Sequence, residues 1–497
     1  MITLTYAQKE NIGFPYVTDM LQVSSPYGRQ LVRDLRPYSR AERPELLRQL
    51  SNVQRVLEGE ASCKKSLDRM LRVFMTVKDV RASVIRCGET ALNEIELFEV
   101  KCFLLRCHEI QPLFREVDSL LELEGVVMED TTAALDILDP EGNRTAAFFI
   151  PDRTSPRLLA LRKEKRELEE QIRRLPDGEE RETLRGERVR TAVEEELEEN
   201  RIRGEMSQAL RPYIPAILRN MDTIGELDLT VEKARLARRY GGVMPQLTER
   251  TLDMTDMTNP MVVDVLREQG KAFTPVSISL ERGAAVITGA NMGGKSVAIK
   301  TLALNVLLTH CGLFPFAREA KVPMFDGLYL LAEDGSSVER CLSSFGGEMV
   351  RFNEMVREMA GEFPLVLLDE FARGTNPDEG AAIVQAVTRY LDRQDAISVL
   401  ATHYDRVARW GSAHYQVIGL KDMDPETVRK EIAGLSGNAG VELIGRYMNY
   451  GLYRVEEQRD CPRDALNICR LLGMEPEILN GVEEFLTDVD KRVEFGV

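Results

Sequence analysis

With 497 residues, 43% of them hydrophobic, the chain is long enough for several globular domains with sizeable cores. Its net charge of −16 and pI near 5.1 exclude a protein that coats nucleic acid through overall charge, although a local basic groove would still be compatible with them. The 8 cysteines are scattered without a Cys-x-x-Cys pair, only 4 histidines are present, and Met1–Glu10 lacks the basic-then-apolar profile of a leader. No apolar run approaches bilayer length, so a reduced, soluble, cytoplasmic protein without a zinc site is expected.

From Ser25 to Gly59 the pattern is helical: Leu46, Leu50, Val53 and Leu57 recur at three and four residues and mark one buried face. Similar periodicity runs on to about Leu123. Between Ala133 and Ile150 two short apolar runs flank Asp139-Pro140-Glu141-Gly142-Asn143, which predicts a β-hairpin over 133–150. A charged segment follows, with Leu161, Leu168 and Leu175 every seven residues and Leu158 and Ile172 in the same seam. After the break at Pro176-Asp177-Gly178, Val189, Val193 and Leu197 recur every four. An antiparallel coiled-coil arm over 155–206 is predicted. A helix over Thr230–Arg239 then leads through Tyr240-Gly241-Gly242, where a domain boundary is placed.

Beyond it the pattern alternates. Short strands at Ser277–Leu280 and Ala285–Thr288 lead into Gly289-Ala290-Asn291-Met292-Gly293-Gly294-Lys295-Ser296, and a helix is expected from Lys295 to His310. Glycines at this spacing let backbone N–H groups wrap a polyphosphate, the lysine reaches the β- and γ-oxygens, the serine hydroxyl holds Mg²⁺, and the helix N-terminus faces the anion. The run Leu365-Val366-Leu367-Leu368 ends in Asp369 and Glu370, the form of a Walker B strand. Asp369 is read as the carboxylate behind the metal and Glu370 as the group that orients or deprotonates water. A helix over Asp378–Leu391 and a strand over Ala396–Ala401 complete an α/β pattern with the site at the strand C-termini, and the segment from Pro425 onward reads as helices, including Asp464–Leu472.

These residues resemble the MutS family of ATPases, relatives of the ABC-type nucleotide-binding domains. Thr288–Ser296 is similar to that family's phosphate loop, with Asn291 and Met292 its particular mark; Ala290 stands where the family usually has proline and Val297 where it has threonine. Ser343-Ser344-Phe345-Gly346-Gly347-Glu348-Met349 resembles the signature segment, which implies that Ser343 acts across a dimer on the partner's γ-phosphate. Asp369–Pro377 matches the loop after the Walker B strand, Ala401-Thr402-His403-Tyr404 the switch histidine that senses the terminal phosphate, and Phe273 the position that stacks on adenine. More weakly, Ser25–Leu31 looks like the start of the helical core, the arm like the clamp, and Ile224–Tyr240 like the lever helix.

The resemblance implies three parts: an all-α core and lever at 1–240 with its coiled-coil arm, a P-loop ATPase domain at 241–425, and a helical segment at 426–497. It further implies Mg²⁺-dependent ATP hydrolysis by a homodimer with composite sites. The stretch before Ser25 is too short for the mismatch-reading domain, and no nuclease tail is recognised before Val497, so a mismatch reader is not expected. Two functions follow: a DNA-related switch or clamp, which the acidic charge weakens, or the ATPase subunit of a reactivating factor for an adenosylcobalamin-dependent aminomutase, working with a second ATPase subunit. Pro462–Asn467 resembles the latter group.

Overall fold

The computed structural model describes the chain apart from residues 1, 3, 290–293, 333–343, 405, 421–430, 432–447, 457–463, 483 and 486–497. Helices α1 (Tyr6–Ile12), α2 (Phe14–Thr18), α3 (Pro26–Arg33), α4 (Arg43–Phe74), α5 (Arg81–Cys87), α6 (Glu94–Leu121), α7 (Thr132–Leu138), α8 (Pro156–Arg174), α9 (Glu179–Leu210) and α10 (Ile214–Tyr240) fill the first half. Two compact units form. One comprises Gln22–Leu35 and Asn52–Ala234; the other comprises Met1–Leu21, Arg36–Ser51 and Arg235–Val497. Residues 1–21 and 36–51 therefore pack with the second half, although their helical pattern had grouped them with 1–240.

In the helical unit, α3 is anchored through its own cap. Ser25 Oγ accepts from Gly28 N at 2.9 Å, and the buried Asp228 on α10 accepts from Ser24 N, Ser25 N and Ser25 Oγ at 3.1, 2.6 and 2.7 Å. That accounts for the free donors at the start of the helix. The close approach needs glycine: a Cβ at Gly225 would lie 3.0 Å from the backbone of Tyr27.

The expected β-hairpin over 133–150 does not form. Thr132–Leu138 is helical and buries Ala134, Leu135 and Leu138, while 146–150 pairs with no strand. A short apolar run carries both readings, and the i, i+3 spacing of Leu135 and Leu138 fits a helix against α6. The turn survives: Gly142 adopts φ +68° and its N–H donates to Asp139 O at 2.8 Å. Asp139 is itself buried and paired with Lys101 of α6 at 3.1 Å, and the same ammonium donates to Ala147 O at 2.7 Å.

Helices α8 and α9 lie antiparallel, as predicted, but the second face is not the predicted one. Leu158, Leu161 and Leu168 are buried, yet Val189, Val193 and Leu197 are 56%, 54% and 63% exposed, and Thr191, Glu195, Glu198 and Ile202 turn inward instead. The reason is charge. Arg162 donates to Glu195 and Glu199 at 3.1 and 2.8 Å, Lys165 pairs with Glu195, and Arg188 pairs with Glu169. Burial pushes the Glu195 carboxyl up, and its bonds to Lys165 and Arg162 more than offset this, leaving it below the ordinary value.

The second unit is built on two sheets. Strands β1 (Gln246–Thr248), β2 (Leu252–Met257), β3 (Val276–Leu280) and β5 (Glu319–Pro323) form one in the order β1-β5-β2-β3, with α11 (Pro260–Glu268) between β2 and β3 in the chain. The other has the order β10-β9-β4-β8-β7-β6, from β4 (Gly283–Thr288), β6 (Leu328–Leu331), β7 (Leu365–Asp369), β8 (Ile397–Ala401), β9 (Ala413–Gly419) and β10 (Asn449–Arg454). All of its neighbours run parallel except β10, which is antiparallel to β9. Residues of β4 and β8 are buried throughout, as a parallel sheet covered on both faces requires. Helices α12 (Lys295–His310), α13 (Ser344–Glu358) and α14 (Pro377–Asp392) follow β4, β6 and β7, and α15 (Asp464–Leu471) follows β10. The segment after Pro425, read as helical, thus contributes an edge strand. Tyr450 and Leu452 to Tyr453 are β-formers whose partner, β9, is far away in sequence, so local pattern did not reveal the pairing.

At the far end of α12, His310 is buried, its ring stacked on Phe325 at 6.1 Å, and burial pushes it down to about 4. The unfolded chain therefore binds a proton near the ordinary histidine value of about 6.5 that the folded chain refuses until about pH 4. Stability contributed by neutral His310 is complete above pH 6.5 and is lost as pH falls toward 4. Urea unfolding should show a loss of about 2 kcal/mol from this group between pH 6.5 and 5, at about 1.4 kcal/mol per pH unit. A His310→Gln variant should show a correspondingly flatter slope, and an unchanged slope would refute the assignment.

Candidate nucleotide site

The site lies at the C-terminal ends of β4, β7 and β8. Strand β4 delivers Gly289 with φ +148°, and a Cβ there would lie 3.0 Å from Val417 Cβ; Gly294 caps α12 with φ +87°. Both backbone conformations are open to glycine and costly for other residues. Ala290, Asn291, Met292 and Gly293, the middle of the predicted phosphate loop, lie outside the described residues. So does Ser343; the helix α13 begins one residue later, and Phe345–Met349 of the signature segment lie on it.

The remaining predicted side chains converge. Ser296 Oγ donates to Asp369 Oδ1 at 3.0 Å. Lys295 is 3% exposed; its Nζ donates to Gly289 O at 2.8 Å and stands 3.8 Å from Glu370 Oε1. Arg373 donates to Glu370 Oε2 at 2.9 Å. Register explains the meeting: Asp369 sits beside Ala401 in the β7–β8 ladder, and β8 pairs with β4 through Ile287 and Ala401, so residues just past three adjacent strands share one edge. Burial raises the Asp369 carboxyl, with the Ser296 hydroxyl pulling the other way. Burial holds His403 below its ordinary value, with Glu370 opposing and Lys295 and Arg373 adding to it, so the imidazole is neutral at pH 7. Its Nδ1 has no hydrogen-bond partner among the described residues.

Magnesium fits this donor set. A hydroxyl and a carboxylate oxygen 3.0 Å apart suit a cation that takes one or two protein oxygens and completes its shell with phosphate and water. When bound, it would neutralise phosphate charge and favour the ionised form of Asp369.

Phe273 is half-buried on the segment entering β3, and no described contact brings it to the loop. An aromatic that went unremarked in the sequence does reach it: a Cβ at Gly294 would lie 3.0 Å from the Tyr450 ring, and Gly451, its neighbour, faces Thr274 next to Phe273. Arg373 was also missed as a partner of Glu370, although its i+3 spacing was readable.

A buried parallel sheet, a glycine-to-helix turn at one strand end, and a lysine, serine and two carboxylates gathered there define a phosphate-loop ATPase. Comparison with known proteins narrows the class. Residues 285–464 match MutS domain V. The chain is 29% identical over 307 residues to the Endonuclease MutS2 of Symbiobacterium thermophilum, covering 61% of this chain and 35% of that one, and 31% identical over 265 residues to that of Geobacillus sp., covering 51% and 32%. The Endonuclease MutS2 of Exiguobacterium sibiricum aligns over 525 residues at 26% identity, 91% of this chain and 64% of the relative. Residues 285–464 are therefore a domain of the MutS family. The chain spans about a third of the length of the first two relatives in these alignments. No helix among the described residues is long and apolar enough to cross a membrane.

Proposed function

We propose that two copies of the chain sandwich two Mg·ATP molecules, and that binding and hydrolysis open and close the helical unit. In this reading Gly289, Asn291, Gly294, Lys295 and Ser296 hold phosphate, Ser296 and Asp369 hold Mg²⁺, Glu370 handles water, His403 senses the γ-phosphate, and Ser343 acts in trans. The convergence of Ser296 on Asp369 and of Lys295 on Glu370 carries it. Energy of ATP would be spent on conformation, a two-state switch rather than a product. Sedimentation of the Glu370→Gln chain is the test. Dimers should appear with Mg·ATP and dissociate when it is replaced by Mg·ADP; monomers in both would refute the sandwich.

A second reading concerns what the arm grips. Acidic and basic residues nearly balance along α8 and α9, and Val189, Val193 and Leu197 are exposed there, which suits a protein cargo such as a mutase in need of reactivation better than a DNA duplex. The relatives are named endonucleases and keep the DNA-related clamp in play as the alternative. DNA-stimulated ATP turnover that falls steeply with salt would decide for the clamp. Stimulation by a cobalamin-dependent mutase, unaffected by nuclease, would decide for remodelling.

A further inference from the structure

Just after the Walker B strand the backbone enters an unusual turn. Glu370 has φ +51° and Ala372 φ +61°, two non-glycine residues in the left-handed region on either side of the buried Phe371. Such residues persist only where the surroundings over-determine them. Here three elements do so. From α13, Glu348 Oε2 accepts the Ala372 N–H at 3.1 Å, and Phe352 packs on Phe371 with ring centroids 5.0 Å apart. From the end of β8, the Tyr404 hydroxyl donates to Ala372 O at 3.1 Å. From α14, Gly380 leaves the space for that hydroxyl; a Cβ there would lie 2.9 Å from Tyr404 Cζ and 3.0 Å from Ala372 O.

Ala372 is therefore held through both of its backbone polar groups, by the helix of the signature segment on its N–H and by the neighbour of His403 on its C=O. We propose that Glu348 and Tyr404 are positioning residues for ATP hydrolysis: by clamping Ala372 they fix the left-handed turn that aims the Glu370 carboxylate and couples it to α13 and to the His403 strand end. The inference rests on reading Glu370 as the water-handling group. Neither residue touches the nucleotide in this scheme. A shift of α13 is transmitted to Glu370 through one hydrogen bond, and a shift of His403 through another.

The test compares Glu348→Ala and Tyr404→Phe with Glu348→Gln, whose amide oxygen still accepts the Ala372 N–H. In the first two, kcat should fall about ten-fold, the effect of one lost charge-assisted or buried hydrogen bond, while the Kd for Mg·ATP stays within about two-fold. Glu348→Gln should restore most of the rate. In nucleotide-free protein, amide exchange across 370–374 should quicken in Glu348→Ala and Tyr404→Phe and stay slow in Glu348→Gln. Tyr404→Phe loses a single oxygen and keeps the ring, so it serves if the alanine variant does not fold. An active chain whose variants keep full kcat, or lose Mg·ATP affinity in step with kcat, overturns the positioning role alone. An unsubstituted chain with no hydrolysis above that of Lys295→Ala overturns the ATPase reading and this role with it.

Discussion

Lys295→Ala is expected to weaken Mg·ATP binding by about a hundred-fold or more, read by titration calorimetry. The ammonium is 3% exposed, with its Nζ bonded to Gly289 O at 2.8 Å and 3.8 Å from Glu370. A charge-assisted hydrogen bond to an anion contributes about 1.5–3 kcal/mol, and a phosphate-loop lysine makes such contacts to more than one oxygen in a site shielded from water. Truncation also leaves Glu370 facing the incoming phosphate with less opposing charge, which adds repulsion to the lost attraction. Since about 1.4 kcal/mol is ten-fold in affinity, a hundred-fold is the smaller end of the expectation. A Lys295→Ala chain that binds Mg·ATP with undiminished affinity would remove the lysine from the phosphate site.

Glu370→Gln should separate binding from turnover. Single-turnover hydrolysis is expected to slow by about a thousand-fold, the middle of the range for loss of a positioned general base, while Mg·ATP affinity holds or rises. Its carboxylate is held by Lys295 on one oxygen and Arg373 on the other, at 3.8 and 2.9 Å. Glutamine keeps the size and can orient water but cannot take its proton. Removing a negative charge beside the γ-phosphate position also frees Lys295 for the nucleotide, which accounts for the expected gain in affinity. Full turnover in this variant would pass the water-handling role to another group, with His403 next to be substituted.

The local elements of the ATPase half were legible because each is declared by its own residues. Lys295–His310 starts at a glycine N-cap and forms a helix over the predicted bounds, and the apolar runs at 365–369 and 397–401 are strands within a residue of expectation. Elsewhere short-range pattern was ambiguous. The short apolar run at 135–138 before the turn at 139–143 suggested a strand, but packing against α6 and the Lys101–Asp139 pair selects a helix. On α9 the apolar stripe of Val189, Val193 and Leu197 competed with a charged face, and cross-helix ion pairs turned Glu195 inward and Val193 outward.

Residue types and spacing alone thus pointed to the chemistry: a glycine turn before a lysine and serine, and a carboxylate pair ending an apolar strand, are the residue types that suit a phosphate and a hard cation. Which groups meet around them was decided only in three dimensions. Tyr450 reaches Gly294 because β10 closes the sheet beside β9, and Glu348 meets Tyr404 across Ala372 because α13, β7 and β8 converge. Those contacts join residues tens of positions apart in the chain, and no local periodicity encodes the register of strands or the rotation of a helix that brings them together.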